Sequence, residues 1–429
     1  MADQSVPLRA PAGTHDVLWP ESARWERLVA EFARRAQRAG FGLVVNPMFE
    51  DAQLFRRGIG DQSDVVRKEM YEFADRGGRE VALRPEGTAS VVRAFVQHHP
   101  PVPWKAWYVT PAFRYERPQA GRYKQHHQLG VEVLGTHDPD VDVEVITLAA
   151  DFYAWLGLVD VDLAVNSMGC GQCREAYVAA LVAYLEEHAA ELCDEHRERY
   201  RVNPLRVLDC KRPECRSVTE GAPRITDYLD DDCAAHFARV RSGLDELGVA
   251  YRLEPRLVRG LDYYTRTTFE FAATSLDAAQ NAIGGGGRYD GLSEAIGGPP
   301  SPGIGFGIGI ERLLLACDAE HVFALDPPRP DAFVVDVTGG AAARALCAEL
   351  RRAGLGAVRA YDGRSLKAQL KQADRSGARH ALIVGPEELA AGTVTARPLR
   401  DEGPQEAVPR GAVVSWLAAH STTKTEEDQ

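Results

Sequence analysis

Glycine placement constrains this chain more than any other feature. Gly303, Gly305, Gly307 and Gly309 alternate with Ile304, Phe306, Ile308 and Ile310, and Gly284 through Gly287 stand in a row upstream. Alternation with period two is a strand signature. It leaves one face bare, so a flat ligand such as an adenine ring, or another backbone, can approach closely. Four consecutive glycines carry a large entropic cost in a strand interior, and alone that run reads as a flexible loop. Neither pattern is the dinucleotide fingerprint, because the spacing differs and no βαβ unit surrounds it. A glycine run followed by Lys-Ser or Lys-Thr is absent, which argues against a P-loop enzyme.

Three arginines sit beside glycine or aromatic residues in segments that otherwise read as buried strands. Arg114 lies in Phe113-Arg114-Tyr115-Glu116-Arg117-Pro118-Gln119, which leads through Gly121-Arg122-Tyr123 to Gln128 and Glu132. Arg259 opens Arg259-Gly260-Leu261-Asp262-Tyr263-Tyr264-Thr265, and Arg312 follows the alternating glycines. A guanidinium is a permanently charged fork that matches phosphate oxygens. Displacing pyrophosphate from ATP requires charge neutralisation at the α-phosphate and at the departing phosphates. Arg114 and Arg259 suit the first role and Arg312 the second. The plainer reading pairs each with a nearby acid, Arg114 with Glu116 and Arg312 with Glu311.

At 429 residues the chain exceeds one core and implies two or three domains. Hydrophobic residues make up 45% and are spread throughout, as in a globular protein. Residues 1–12 lack the apolar core of a signal peptide and nowhere do eighteen apolar residues run together, so the chain reads as cytoplasmic with no membrane partner. A net charge of -12 argues mildly against nucleic acid, but local field matters more than the total. Arg344, Arg351, Arg352, Arg359, Arg364, Lys367, Lys371, Arg375 and Arg379 face only Glu349, Asp362 and Asp374 in one stretch, which on charge alone reads as a solvated helix face.

The eight cysteines should be reduced in the cytosol. Cys170 and Cys173 have metal or redox spacing without a matching second pair. Cys193, His196, Cys210 and Cys215 look more like a four-ligand zinc set, but the second pair is wider than the usual knuckle, so free buried thiols are the default.

Glu21 to Ala39 reads as a helix with Trp25, Leu28, Val29, Phe32 and Ala36 on one face and Gly40 as its stop. Phe41–Val45, Val109–Tyr115, Leu129–Leu134 and Tyr263–Phe271 read as strands. Strands with few intervening helices point to an antiparallel sheet in an α+β fold. Arg174–Arg199 and Ala234–Leu247 are helical in period, which marks an inserted helical module. Residues 326–331 form a stiff Pro-rich linker. Beyond it, Ala332–Val337 as strand, Ala341–Ala353 as helix and His380–Val384 as strand argue a small α/β domain. The polar tail 421–429 is expected to be disordered.

These residues resemble the class II aminoacyl-tRNA synthetases, and within them the histidyl-tRNA synthetase family. Phe113-Arg114-Tyr115-Glu116 is similar to the second class motif and Gly305–Arg312 to the third. The helix before Gly40, with Phe41–Pro47, resembles the first, which forms the dimer interface in that class. The histidine-specific likeness rests on Arg259–Thr265 and on Gly286-Gly287-Arg288-Tyr289-Asp290-Gly291. Leu83-Arg84-Pro85-Glu86-Gly87-Thr88 and Gly13–Pro20 fit as well.

The resemblance implies a catalytic core from 1–169 and 250–325, an inserted module at 170–249 that contacts the tRNA acceptor arm, and an anticodon-binding domain at 332–420. It implies that Glu86, Gly87, Thr88 and Gln128 surround the α-amino group of L-histidine, with Glu132, Tyr263 and Tyr264 at the imidazole. Arg114, Glu116, Arg122, Arg259, Gly305, Gly307 and Arg312 would hold ATP, with magnesium accompanying the pyrophosphate. Arg117 and Gln119 would face the acceptor end of histidine tRNA. The implied reaction passes through histidyl-adenylate, in a homodimer. No side chain stands out as a base for the transfer step, and His126 and His127 read as structural. A histidine-binding regulatory subunit is the competing reading; such relatives usually lose motif arginines and the C-terminal domain, and this chain has both. A synthetase for another amino acid is disfavoured by Tyr263, Tyr264 and Glu132.

Overall fold

The computed structural model describes residues 7–421, apart from 62, 278–279 and 326–327. They form two compact units that divide between residues 325 and 326. The expected tail lies outside the described residues from 422 onward, as does part of the expected linker.

The first unit is built on an eight-stranded sheet. Its order is Gly42–Leu43, Trp104–Phe113, Gln125–Leu134, Gly303–Gly309, Ala282–Arg288, Thr265–Ala273, Val161–Ser167 and Arg252–Leu253. The inner pairs are all antiparallel, and only the two short edge strands run parallel to their neighbours. A separate three-stranded sheet of Phe49–Asp51, Glu80–Leu83 and Tyr71–Ala74 lies within the same unit.

The four-glycine run is no loop. It forms a central strand between Thr265–Ala273 and the alternating-glycine strand, with Gly285 opposite Gly307 and Gly287 opposite Gly305. Crowding rather than flexibility explains its composition. A Cβ on Gly286 would come within 1.9 Å of the Gly305 carbonyl oxygen, and one on Gly284 within 2.2 Å of the Tyr153 hydroxyl. No other residue fits between such neighbours.

The helix Glu21–Arg38 buries Leu28, Phe32 and Ala36. It stops at Gly40, whose φ of 82° is left-handed; the Phe41 N–H then returns to the Ala36 carbonyl at 2.9 Å and the Gly40 N–H to Gln37. This is the Schellman arrangement that glycine at that position favours. Of the strand expected over Phe41–Val45, only Gly42–Leu43 joins the sheet. The following carbonyls serve another group. Arg84, only 3% exposed, donates to the carbonyls of Asn46 and Pro47 at 3.1 Å each and of Pro111 at 2.8 Å.

The helix expected over Arg174–Arg199 is two, Gly171–Glu187 and Asp194–Arg199. Between them the Arg197 guanidinium takes the carbonyls of Ala189, Ala190 and Leu192, which a continuous helix would have used itself. Tyr177, Leu181, Leu185, Tyr200, Val207, Cys215, Val218 and Ile225 form a core belonging to this stretch. The helix Asp231–Glu246 instead sends Phe237, Val240 and Leu244 into the main core against Pro139–Trp155.

One buried ion pair ties that core to the glycine strand. Arg288 and Asp142 are both fully buried, joined at 2.6 and 2.8 Å, and Arg288 also donates to the carbonyls of Thr136 and Asp138. A buried pair persists only when its remaining donors are satisfied in this way.

The second unit is a five-stranded mixed sheet, ordered Ala357–Arg359, Ala332–Asp336, His380–Val384, Thr393–Pro398 and Glu406–Pro409. The first three strands are parallel and the rest antiparallel. Ala341–Arg352 and Leu366–Arg375 supply its main helices.

Because the Gly286 site has no room for a methyl group, Gly286→Ala should destabilise the first unit by about 3 kcal/mol or more. Urea unfolding followed by tryptophan fluorescence measures this. A variant within error of the parent protein would refute the crowding account.

Candidate functional site

A polar cavity of about 270 Å³ opens over the glycine strands. Four arginines reach it: Arg114 from the end of Trp104–Phe113, Arg122 from the turn that follows, Arg259 from the segment before Thr265–Ala273, and Arg312 from the helix Ile310–Ala319. Glu116, Glu270, Glu311, His126 and Gln128 complete its polar wall, and Gly284, Gly285, Gly307 and Gly309 its floor.

The simple acid pairings do not occur. Glu116 pairs with Arg122 at 2.6 Å, not with Arg114. Glu311 accepts the His127 backbone N–H at 3.0 Å and meets its Nδ1 at 2.9 Å, not Arg312. Arg114 is fixed by the Pro85 carbonyl at 2.9 Å, and Arg312 by the carbonyls of Gly121 at 2.9 Å and Ala282 at 3.1 Å. Both cations thus have dipoles for partners and guanidinium donors left over. Burial, then the neighbouring charge of Arg122, pushes the Arg312 guanidinium down from its ordinary value, with Arg114 adding to the effect. An anion in the cavity would reverse that penalty.

Arg259 is held by Glu270, and among the described residues its buried Nε has no hydrogen-bond partner. Its guanidinium crosses Gly285, where a Cβ would approach to 2.8 Å. Gly285 is therefore the space through which Arg259 enters. His126 is pushed down to about 3 by burial and by Arg114 and Arg312, so it is neutral at physiological pH. His127 packs edge-on against Trp25 at 4.9 Å and is structural.

A second group of residues from the same motifs lies beside the cavity, and of these only Gln128 also lines it. Glu132 is fully buried and accepts hydrogen bonds from Thr88 at 2.7 Å, Tyr108 at 3.2 Å and Tyr289 at 2.5 Å. Burial pushes its carboxyl up to about 8, against the lowering effect of those hydroxyls. Glu86 accepts the N–H groups of Thr88 and Ala89 at 2.7 and 2.8 Å, at the start of the helix Thr88–His98. Gln128 accepts the Gly87 N–H at 3.1 Å. Tyr263 and Tyr264 are buried against each other, 4.7 Å between ring centroids.

Of the residues expected at the site, Arg114, Glu116, Arg122, Gln128, Arg259, Gly307 and Arg312 line the cavity. Gly305 does not: a Cβ there would meet the Glu132 carboxylate at 1.8 Å, so its bareness serves Glu132 rather than a ligand. Gly303 likewise makes room for the Tyr289 ring. Arg117 and Gln119 lie on an exposed turn outside the cavity, closed by reciprocal bonds between Gln119 and Arg122 at 3.0 and 2.9 Å. Sequence reasoning missed Glu270, Tyr108 and Tyr289. Tyr108 lies between Gly87 and Gly130, each of which would collide with it if it carried a Cβ; isolated glycines facing a tyrosine were the available signal. The four thiol and imidazole groups of Cys193, His196, Cys210 and Cys215 do converge, in the inserted stretch.

An antiparallel sheet with a guanidinium-lined cavity over a glycine face is the catalytic architecture of class II aminoacyl-tRNA synthetases. The family model for histidyl-tRNA synthetase matches residues 13–313, and that for an anticodon binding domain matches residues 331–420. The chain is 49% identical over 413 residues to the histidine–tRNA ligase of Desulforudis audaxviator, covering 95% of this chain and 97% of that one. It is 50% identical over 414 residues to that of Moorella thermoacetica, with the same coverage. The crystal structure of apo S. aureus histidyl-tRNA synthetase superposes with a TM-score of 0.81 at 35% identity, covering 96% of this chain and 100% of that one. The chain belongs to the histidyl-tRNA synthetase family.

The Glu132 environment predicts a pH signature. The carboxyl ordinarily titrates near 4.5 and near 8 when buried here, so the folded state binds the extra proton between those values. Its stabilising effect is complete below 4.5 and disappears as pH rises through 8. Relative to Glu132→Gln, the parent protein should lose at most about 1.4 kcal/mol of stability per pH unit across that window. Denaturant midpoints measured from pH 5 to 8.5 test this; parallel profiles would rule it out.

Proposed function

We propose that the chain joins L-histidine to the 3′ end of histidine tRNA through histidyl-adenylate, releasing AMP and pyrophosphate. One observation carries the site assignment: Arg114 and Arg312 line one cavity with only carbonyl partners among the described residues, above a glycine floor. That is a place for a polyphosphate whose base lies flat on Gly307 and Gly309.

In the first step a histidine carboxylate oxygen attacks the α-phosphorus in line. A new P–O bond forms as the α–β bridging bond breaks, and pyrophosphate leaves with the electron pair. Arg114 and Arg259 neutralise the α-phosphate and the attacking carboxylate, Arg312 the γ-phosphate. Positioning and charge neutralisation supply most of the rate. Magnesium would travel with the β- and γ-phosphates. Glu116 and Glu270 offer it oxygen ligands on the cavity wall, but both already pair with arginines, so phosphates would supply most of its coordination.

Glu132 and Tyr264 are assigned the two imidazole nitrogens, with Tyr263 beside them; Glu86, Gly87, Thr88 and Gln128 surround the ammonium. A site that hydrogen-bonds both ring nitrogens leaves its own buried polar groups unpaired with any other side chain, and so rejects near-isosteres without editing. In the second step the terminal ribose hydroxyl of tRNA attacks the mixed anhydride and AMP departs. Before nucleotide binds, His126 is held neutral by burial and by Arg114 and Arg312, and the adenylate phosphate oxygen is assigned as the proton acceptor.

The exposed Arg117–Gln119 turn is assigned to the acceptor end of the tRNA, the 170–249 stretch to its arm, and the second unit to the anticodon. A cytoplasmic location is proposed from the tRNA substrate; separately, no described helix is long and apolar enough to cross a membrane. A homodimer is proposed through the segment after Gly40, where Leu43, Val45, Met48 and Phe49 are exposed. Light scattering should return the mass of two chains, and a monomer would refute that assembly.

Histidine-dependent exchange of labelled pyrophosphate into ATP tests the activation step. Arg259→Ala should lower exchange by at least about a thousandfold, with none of the other nineteen amino acids supporting it in the parent protein. Gln119→Ala should keep exchange while kcat/KM for tRNA charging falls about tenfold. Equal loss in both assays would remove the turn from tRNA recognition.

A further inference from the structure

Six of the eight cysteines fall between residues 170 and 233, and all six belong to one of two clusters. In the first, the ligand atoms of Cys193, His196, Cys210 and Cys215 lie within 4.8 Å of one another. Cys193 Sγ is 3.2 Å from His196 Nδ1, and Cys215 Sγ is 3.7 Å from the same nitrogen. A tetrahedral zinc with three sulfurs and one imidazole has edges of roughly 3.5–3.8 Å, given its bond lengths. We propose that Cys193, His196, Cys210 and Cys215 bind one structural zinc ion in the inserted stretch.

The spacing that argued against this set is absorbed by local structure. Cys193 precedes the helix Asp194–Arg199, and His196 sits in its first turn. Cys210 follows the short helix Leu205–Leu208, while Cys215 lies in the first turn of Pro213–Glu220. The four residues between Cys210 and Cys215 turn the chain so that both sulfurs face the first pair. Cys193 and Cys215 are buried, and His196 and Cys210 half-buried. The Cys193 backbone N–H also points at Cys215 Sγ, at 3.3 Å. Such a donor stabilises a thiolate, the form a metal requires.

Three thiols and an imidazole are the wrong set for a disulfide, which would use two sulfurs and strand the rest. Arg212, Arg206 and Arg199 lie near His196 together with Glu195, so a zinc with three thiolates, which carries one net negative charge, has cations close by. The need for a staple is also visible: helices of six, four and eight residues follow one another here, too short to be stable alone.

The second cluster, Cys170, Cys173, Asp230 and Cys233, reads differently. Asp230 caps its helix by accepting the Cys233 N–H at 2.7 Å, and its other oxygen accepts the Cys170 and Cys173 thiols at 3.1 and 3.2 Å. That set is satisfied by its own hydrogen bonds. The first has no carboxylate among its ligands.

The zinc would act on the active site through position. Between the two ligand pairs the chain carries Arg206, which binds Asp64 at 3.1 Å and lies 3.9 Å from where a Cβ on Gly260 would stand, next to Arg259.

Zinc content tests the proposal without reference to catalysis. The full chain, produced in zinc-containing medium and freed of loose metal by gel filtration, should hold about one equivalent sensitive to these ligands, falling below about a tenth in Cys210→Ser. Cys170→Ser and Cys347→Ser should retain it. Cobalt reconstitution of the parent protein should give thiolate charge-transfer absorption and tetrahedral ligand-field bands, present in Cys170→Ser. Release of one equivalent from the folded parent protein by an organomercurial guards against misfolding of the Cys210 variant. A parent protein without zinc, or zinc that survives Cys210→Ser, would overturn the proposal.

Discussion

The bare centre of the large sheet governs everything around it. Two adjacent strands carry eight glycines between them, and most of the vacated space is claimed by a specific neighbour. Tyr153 presses on Gly284, Arg259 crosses Gly285, Tyr289 covers Gly303 and the Glu132 carboxylate covers Gly305. Only Gly307 and Gly309 open onto the cavity without close neighbours of this kind. Glycine here lets large polar side chains lie against a β-sheet at van der Waals distance from its backbone, which a normal strand surface forbids. The same strands would be unstable on their own; they are held by pairing on both sides and by the Arg288–Asp142 pair at their end.

Charge in the site is organised by pairing some groups and withholding partners from others. Arg122 and Arg259 have carboxylates, whereas among the described residues Arg114 and Arg312 have only carbonyls. A net charge of -12 for the whole chain therefore says nothing about the field inside this cavity. Beside it, Glu132 is kept from water by hydroxyls that satisfy it without neutralising it. A protonatable group among phenols and a cation-rich cavity thus share the bare face of the Gly303–Gly309 strand, Glu132 over Gly305 and the cavity over Gly307 and Gly309.

Much of this was legible in the chain. The arginines stood out because guanidinium beside glycine in apolar strands has few structural explanations, and the strands expected over Val109–Tyr115 and Leu129–Leu134 fall on the longer Trp104–Phe113 and Gln125–Leu134, the first ending two residues earlier than expected. Adjacent glycines misled, because the entropic argument treats a strand in isolation and cannot see that its neighbours fill the space. Arg84 and Arg288 were quoted within motifs, yet their partners lie far away in sequence, at Pro111 and Asp142. Such pairing depends on tertiary register, and local pattern carries no trace of it. The break after Glu187 was hidden for a similar reason: helical period continues across it, while Arg197 captures the carbonyls that decide it.

Strand order bears on how the molecule comes into being. Gly303–Gly309 lies in the middle of the sheet, between Gln125–Leu134 and Ala282–Arg288, yet it is the last of the eight strands to be synthesised. Until it arrives, its two neighbours present unpaired edges, and long-range pairing of this kind is slow to form. A nascent chain halted before residue 303 would carry Arg114 and Arg259 but neither the cavity floor at Gly307 nor Arg312. The arginine-lined cavity is therefore completed only when this last strand has been translated, and until then the unpaired edges leave the chain open to misassembly.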